Sequence, residues 1–203
     1  LIGDSSAGKV YRYVYYPTIN FYEVNQTFTS STSFGSNIVY ADDLVFITEP
    51  NANKVHVYQL LENNIIVSGN VESNLLFKIQ EISASCNNVA ISGNQSWLYV
   101  SDTSNAQFKV YHKSTPTVVS GNFVTGTLYT ITSVGTTDFT LIGAASNTVG
   151  VTFISTGTSS GTGTVTSSST YDEYATHVSR RFLSIISSHV SLIDFIFFLS
   201  IHM

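Results

Sequence analysis

The stretch LVFITEPNANKVHVYQL, residues 44–60, decides how this chain is read. An apolar run meets a short polar turn around Pro50-Asn51, and a second run follows in which Val, His and Tyr alternate. Runs of this kind, bounded by turn residues, are the signature of two strands joined by a tight connection. The same design stands at LIGDSSAGKVYRYVY, residues 1–15, and at WLYVSDTSNAQFKVYHK, residues 97–113. Lys9, Lys54 and Gln107 occupy corresponding places, an interval of roughly 50 residues, which is the size of one four-stranded repeat. Two copies extend backwards. NFYEVNQTF, NIVYA, LVFITE and KVHVYQL give four β-patterned runs over 20–60, and LLFKIQEI, NVAIS, WLYVS and FKVYH give four over 75–113. The first copy, 1–16, begins at its third strand.

One competing motif lies inside the first copy. GDSSAGKV, residues 3–10, has the G-x-x-x-x-G-K spacing of a phosphate-binding loop. Such a loop must follow a buried strand and open a helix whose amino end faces the anion. Here Val10 stands where a magnesium-binding Ser or Thr is required, and VYRYVYY is a β run dense in aromatics. The segment is therefore expected to be a turn and a strand. Ser5, in a GDS triplet, lies in the same turn with nothing nearby to orient a base.

Composition supports a β-rich chain. Only 10% of the 203 residues are charged against 13% aromatic, so the polar surface is one of hydroxyls and amides. A net charge of -5 with eight scattered Lys and Arg argues against nucleic acid, whose backbone demands clustered cations. The lone Cys86 excludes an intramolecular disulfide and reads as a buried small apolar side chain. Leu1 follows no basic-then-apolar leader, and the chain is read as a segment of a longer protein.

The repeated units resemble β-propeller blades. WLYVSDTSNAQFKVY looks like the NHL/YVTN type, and NVAISGNQSWLYV is similar to the FG-GAP type. Calcium-binding FG-GAP blades carry a run of alternating aspartates, whereas each turn here offers one carboxylate, Asp4, Glu49 or Asp102, too few for a calcium cage. A ring takes about 4 to 8 blades, so two and a part leave it incomplete.

From Ser114 to Tyr171 the only charged residue is Asp138, and the run of Thr, Val, Phe and Ile broken by Gly and Ser reads as four or five short strands. GTLYTITSVGTTDFTLIGA, with GVTF and GTGTV after it, resembles a module of bacteriophage tail-fibre and virion proteins. The resemblance implies an exterior structural or adhesive role. The last segment, 171–203, places Ser184, Ser187, Ser188, Ser191 and Asp194 at helical spacing opposite Leu183, Ile186, Val190, Ile193 and Phe197. A helix is expected from about Thr176 onward, either packed on the β module, foreign to the preceding fold, or membrane-associated through 182–203, with Arg180-Arg181 just before it.

No constellation specifies a reaction. His56 and His112 lie in strands of two copies and read as structural, and His177, His189 and His202 lie near the C-terminus; none forms a zinc-ligand pair. Asp42-Asp43 and Asp172-Glu173 are adjacent carboxylates, weak as paired acids for glycoside cleavage. Tyr11, Tyr13, Tyr15 and Tyr16 could stack on sugar rings, although cross-strand pairing is the commoner use. The sequons at Asn25 and Asn94 matter only in a eukaryotic secretory host.

The chain is thus expected to be all-β, with propeller-like four-stranded antiparallel blades in an incomplete ring over 1–113, a Thr/Gly-rich β module over 114–170 and a C-terminal helical tail over 171–203. The expected function is that of a non-enzymatic virion or tail-fibre structural protein, in the virion or extracellular. It would have no catalytic, cofactor-binding or metal residues. It would pair with itself or other virion proteins and present loops to a cell-surface glycan. The alternatives are a segment of a propeller polysaccharide lyase or hydrolase, or a bacterial surface protein held by its C-terminal helix.

Overall fold

The computed structural model describes residues 1–61, 65–67, 70–72, 75–84, 86, 88–92, 95–102 and 104–178. They form strands β1 (Ile2–Asp4), β2 (Lys9–Tyr16), β3 (Phe21–Thr29), β4 (Ile38–Ala41), β5 (Leu44–Glu49), β6 (Lys54–Leu61), β7 (Ile65–Val67), β8 (Asn70–Glu72), β9 (Leu75–Ser83), β10 (Val89–Ile91), β11 (Trp97–Asp102), β12 (Gln107–Ser114), β13 (Thr117–Val119), β14 (Leu128–Ser133), β15 (Thr152–Ile154), β16 (Thr164–Ser167) and β17 (Thr170–Val178). The chain is all-β, in small sheets none of which is closed among the described residues. It divides into two compact units. Leu1–Val57, Gln80–Lys113 and the chain from Tyr171 make the first, and Tyr58–Ile79 with Ser114–Thr170 make the second.

Three sheets follow one another along the chain. Sheet I has the order β1-β2-β3, sheet II the order β4-β5-β6-β9, and sheet III the order β10-β11-β12-β17. Lys9 opens β2, so the stretch 3–10 is a strand, a turn and a strand, with no helix to receive a phosphate. Lys9, Lys54 and Gln107 each begin the strand that follows the turn.

The strand grouping differs from the sequence expectation in three places. Phe21–Thr29, placed by pattern at the head of the 20–60 unit, is instead hydrogen-bonded along β2, from Lys9↔Thr29 to Tyr16↔Phe21. Leu75–Ser83 likewise closes sheet II instead of opening the next unit. Alternation marks strands but not partners. The short hairpin loop Pro17–Asn20, tied by the Ile19 amide to the Tyr16 carbonyl at 3.3 Å, favours pairing β3 with the strand just before it. Residues 171–178, assigned by sequence to the helical tail, are strand β17 and complete sheet III. The part of that tail beyond 178 lies outside the described residues.

The turns repeat in detail. Gly8, Asn53 and Ala106, each just before its strand, have φ of 63°, 55° and 52°. In sheets I and II the amide after the last strand bonds to this residue's carbonyl, Ser30 to Gly8 and Ala84 to Asn53, both at 2.9 Å. Thr48 and Asn37 exchange bonds at 3.0 and 2.9 Å, as Ser101 and Asn88 do at 3.2 and 3.3 Å. Left-handed backbone costs an alanine about 1 kcal/mol, so Ala106→Gly should raise the unfolding free energy by up to that amount in a urea titration. Gly8→Ala should lower it by about 1–2 kcal/mol from backbone alone. The new Cβ would also lie 2.5 Å from the Ser31 carbonyl oxygen and 2.6 Å from that of Ser30.

Burial shows how the first unit is layered. Every residue of β5 is buried, which a strand achieves only when both its faces are covered. In β11 the pattern softens: Leu98 and Val100 are sealed, while Trp97 and Tyr99 on the opposite face are only half-buried. Sheet II is therefore the middle layer. Towards sheet I it meets the connector after β3, where Phe34 stands edge-on to His56 at 5.1 Å and the Gly35 amide bonds to the Thr48 carbonyl at 3.0 Å. Towards sheet III it meets Tyr171, whose ring lies edge-on to Phe46 at 5.4 Å.

The second unit contains the sheet β13-β16-β14-β15 and the hairpin β7-β8. Its core gathers Phe123, Tyr129, Ile131, Phe139, Phe153 and Val165. Gly163 lies so close to Phe139 that a Cβ would come within 2.7 Å of its ring. Asp138 caps the short turn Phe139–Ile142, accepting from the Thr140 amide at 3.1 Å, the Thr140 hydroxyl at 2.6 Å and Asn147 at 2.8 Å. These bonds hold its carboxyl below the usual range. Hydroxyl pairs line the strands, Thr130 with Thr152 at 3.0 Å and Thr132 with Thr164 at 2.8 Å.

Candidate functional site

Among the described residues, the one buried acid and histidine found together sit at the end of β5 and the start of β6. Glu49 accepts from the Ser31 amide at 2.8 Å and the Ser31 hydroxyl at 2.6 Å, and its other oxygen meets His56 Nε2 at 2.8 Å. Burial pushes the carboxyl up, but the bonds from Ser31, His56 and Ser30 outweigh it and hold it below its ordinary value. His56 Nδ1 has no hydrogen-bond partner among the described residues and lies 3.7 Å from Glu81, which pairs with Lys54 at 2.8 Å. Both Glu49 and His56 are sealed from solvent. A substrate cannot reach the pair, and its chemistry is that of a polar bolt between sheet II and the connector leaving sheet I.

The two carboxylates in the corresponding turns serve locally. Asp4 accepts from the Ser6 hydroxyl at 2.7 Å and the Ala7 amide at 3.1 Å. Asp102 accepts from the Asn105 side chain at 2.9 Å and Gln107 at 2.9 Å. One more methylene lets Glu49 reach across to the next layer, where the two aspartates close their own turns. No group of three potential metal ligands occurs among the described residues.

The remaining residues singled out by sequence are dispersed. His56 and His112, both read from sequence as lying in strands of the repeated units, are not equivalent. His56 is the third residue of β6 and buried, while His112 is the sixth of β12, exposed and edge-on to Trp97 at 4.6 Å. His189 and His202 lie outside the described residues, as does Asn94, and of His177 only the backbone in β17 is described. Asp42 and Asp43 form the turn between β4 and β5, where Asp42 accepts from Gln95. In β17, Glu173 pairs with Lys109 at 3.2 Å. Asn25 sits at a bulge in β3 and accepts from Arg12. No helix among the described residues is long and apolar enough to cross a membrane. Residues 182–203, where sequence places any membrane contact, lie outside them.

Cys86 is buried, and burial with the nearby Asp102 carboxylate pushes its thiol up to about 12. A disulfide-exchange reagent at pH 8 should leave it unreacted in the folded chain. In urea it should react on the order of a thousandfold faster, as its thiolate fraction recovers.

No family model, curated protein or solved structure matches the chain. Function must be argued from its own surfaces.

Two surfaces stand out. The first is the face of sheet I that carries Ile2, Tyr13, Tyr15, Tyr22 and Val24, all exposed. Tyr13 faces Val24, and Tyr15 faces Tyr22 with ring centroids 5.0 Å apart. Sequence reading found the tyrosines of β2 but not Tyr22 and Val24, whose side of the sheet depends on the pairing of β3. The second is the loop surface of the second unit, where Val124, Leu141 and Val149 are exposed among Thr, Ser, Asn and Gly. Sequence reading also missed Gln80, Gln95 and Tyr171, which lock sheets II and III together.

Proposed function

We propose that this chain is a non-enzymatic structural protein of the virion or tail-fibre type, acting in the virion or outside the cell. Its sheets I, II and III are propeller-type blades, and the hydroxyl-rich module between β12 and β17 presents loops to a cell-surface glycan. The observation that carries the scaffold reading is the threefold recurrence of one turn geometry, with Asp4, Glu49 and Asp102 each consumed by internal hydrogen bonds. Carboxylates so engaged hold a fold and are not poised for acid–base work. The module supports attachment, because its exposed Val124, Leu141 and Val149 lie among hydroxyl and amide side chains able to bond sugar hydroxyls. Each contact would be weak, and copy number would strengthen it.

The test is a glycan array together with cell binding by the intact oligomer. Binding that Leu141→Asp abolishes is the expected result. A blank array and no cell binding would remove the adhesive reading, and cleavage of polysaccharide by the purified chain would overturn the non-enzymatic one.

A further inference from the structure

Gln95 is buried, with 8% of the residue exposed, and charged side chains hold both ends of its amide. Lys113 Nζ donates to Oε1 at 3.0 Å, and Nε2 donates to a carboxylate oxygen of Asp42. The backbone of Gln95 is clamped as well. Its N–H donates to the Ser92 carbonyl at 2.9 Å, and its carbonyl accepts from the Tyr171 hydroxyl at 2.8 Å. Lys113 is fixed beside it, because its own N–H donates to the Ser96 carbonyl at 2.8 Å. Gln95 and Asp42 have φ of 58° and 50°, the left-handed backbone that residues other than glycine seldom adopt and that concentrates at functional sites. A carbonyl bond is about 1.23 Å long, so Lys113 Nζ lies at most about 4.2 Å from the amide carbon, and rotation about the lysine's terminal bonds brings it over the carbon's face. An amine, a primary amide and a proton carrier thus stand together, the amide held still between the other two.

We infer that Lys113 and Gln95 join in an isopeptide bond, with Asp42 moving the proton. Lys113, only half-buried, sheds a proton to water, and its free amine attacks Gln95 Cδ. A bond forms from Nζ to Cδ as the carbonyl electron pair moves onto Oε1. Both nitrogens then hang on one carbon, so Asp42, beside Nε2, takes a proton from the attacking nitrogen and passes it to the leaving one. The electron pair returns from Oε1, the bond from Cδ to Nε2 breaks, and ammonia departs. An amine and a primary amide become a secondary amide and ammonia, with no oxidant or reductant. The exchange is slow between free molecules, but partners held in register react as if at a concentration no solution reaches. The product ties the turn before β11 to the end of β12, across 18 positions of sequence. With Cys86 the one cysteine in the sequence, no intramolecular disulfide could serve instead. The inference goes beyond the proposed reading and does not depend on glycan binding.

Mass spectrometry of the full chain, kept folded at pH 8, tests it. The expected mass is below that of the sequence by one ammonia. Trypsin should fail to cut after Lys113, and the peptide that ends at Lys109 should emerge joined through Gln95 to the peptide that begins at Val110. Lys113→Arg keeps the charge and removes the nucleophile, so its mass should stay that of its sequence. Asp42→Ala should slow the loss of ammonia on the order of a hundredfold. A native chain that keeps its full mass, an equal loss from Lys113→Arg or from the chain held in urea, or a link that does not join Gln95 to Lys113 would each overturn the inference; loss at the native rate from Asp42→Ala would overturn the part given to Asp42. The peptide map of the native chain decides by itself, so a variant that fails to fold leaves the test standing.

Discussion

Replacing Tyr171 with alanine should cost about 3–5 kcal/mol of unfolding free energy, the usual toll for a large aromatic removed from a core. Tyr171 is fully buried, with its ring edge-on to Phe46. Its amide donates to Gln80 Oε1 and its carbonyl accepts from Gln80 Nε2, both at 2.8 Å, so a side chain from β9 grips the first turn of β17 as a neighbouring strand would. Its hydroxyl donates to the Gln95 carbonyl at 2.8 Å, and Gln95 in turn bonds Asp42 and Lys113. Tyr171→Phe should cost only about 1–3 kcal/mol, because the ring stays and one carbonyl loses its donor. Urea unfolding of the two variants separates packing from hydrogen bonding. If alanine and phenylalanine cost the same, the ring contributes nothing and the layering of sheets II and III must rest elsewhere.

What could be read from sequence follows from the range of the forces involved. The turns were legible because they are local. Lys9, Lys54 and Gln107 mark the same step of the same turn, and the left-handed residue before each follows from how few residues the turn spans. The all-β class was legible from alternation. Strand partnership was not, because Phe21–Thr29 has the same pattern whether it joins β2 or β4. The strand at Thr170–Val178 was hidden for a related reason. It completes a sheet whose previous strand ends at Ser114, and the module between them erases any local signal linking the two. The Glu49–His56 pair was half legible. Both residues were noted, but their meeting depends on the two strands lying side by side, and Ser31 on the connector could not be foreseen. The aromatic face of sheet I was visible in β2 alone, since its partners Tyr22 and Val24 required the register.

Glu49 should govern much of the response to acid. Removing it as Glu49→Ala strands His56 Nε2 and the Ser31 donors in a sealed site, and should cost about 3–5 kcal/mol at pH 7. Its folded carboxyl is held below the ordinary value of 4.5. A group whose folded pKa is depressed contributes stability that is complete above its unfolded pKa and is lost as pH falls through the folded one. The contribution should therefore be full at neutral pH and fade below about 4.5. Asp102 and Glu173 are also held low by their hydrogen bonds, so their contributions likewise fade on acidification. Glu49→Gln isolates the effect, since it keeps the shape and loses the charge. The unfolding free energy of the native chain minus that of the variant should be constant above pH 5 and should shrink as the pH approaches 3. A difference that stays flat through this window would show that the carboxyl has the same pKa folded and unfolded, and one that grows as the pH falls would show that it is neutral in the fold.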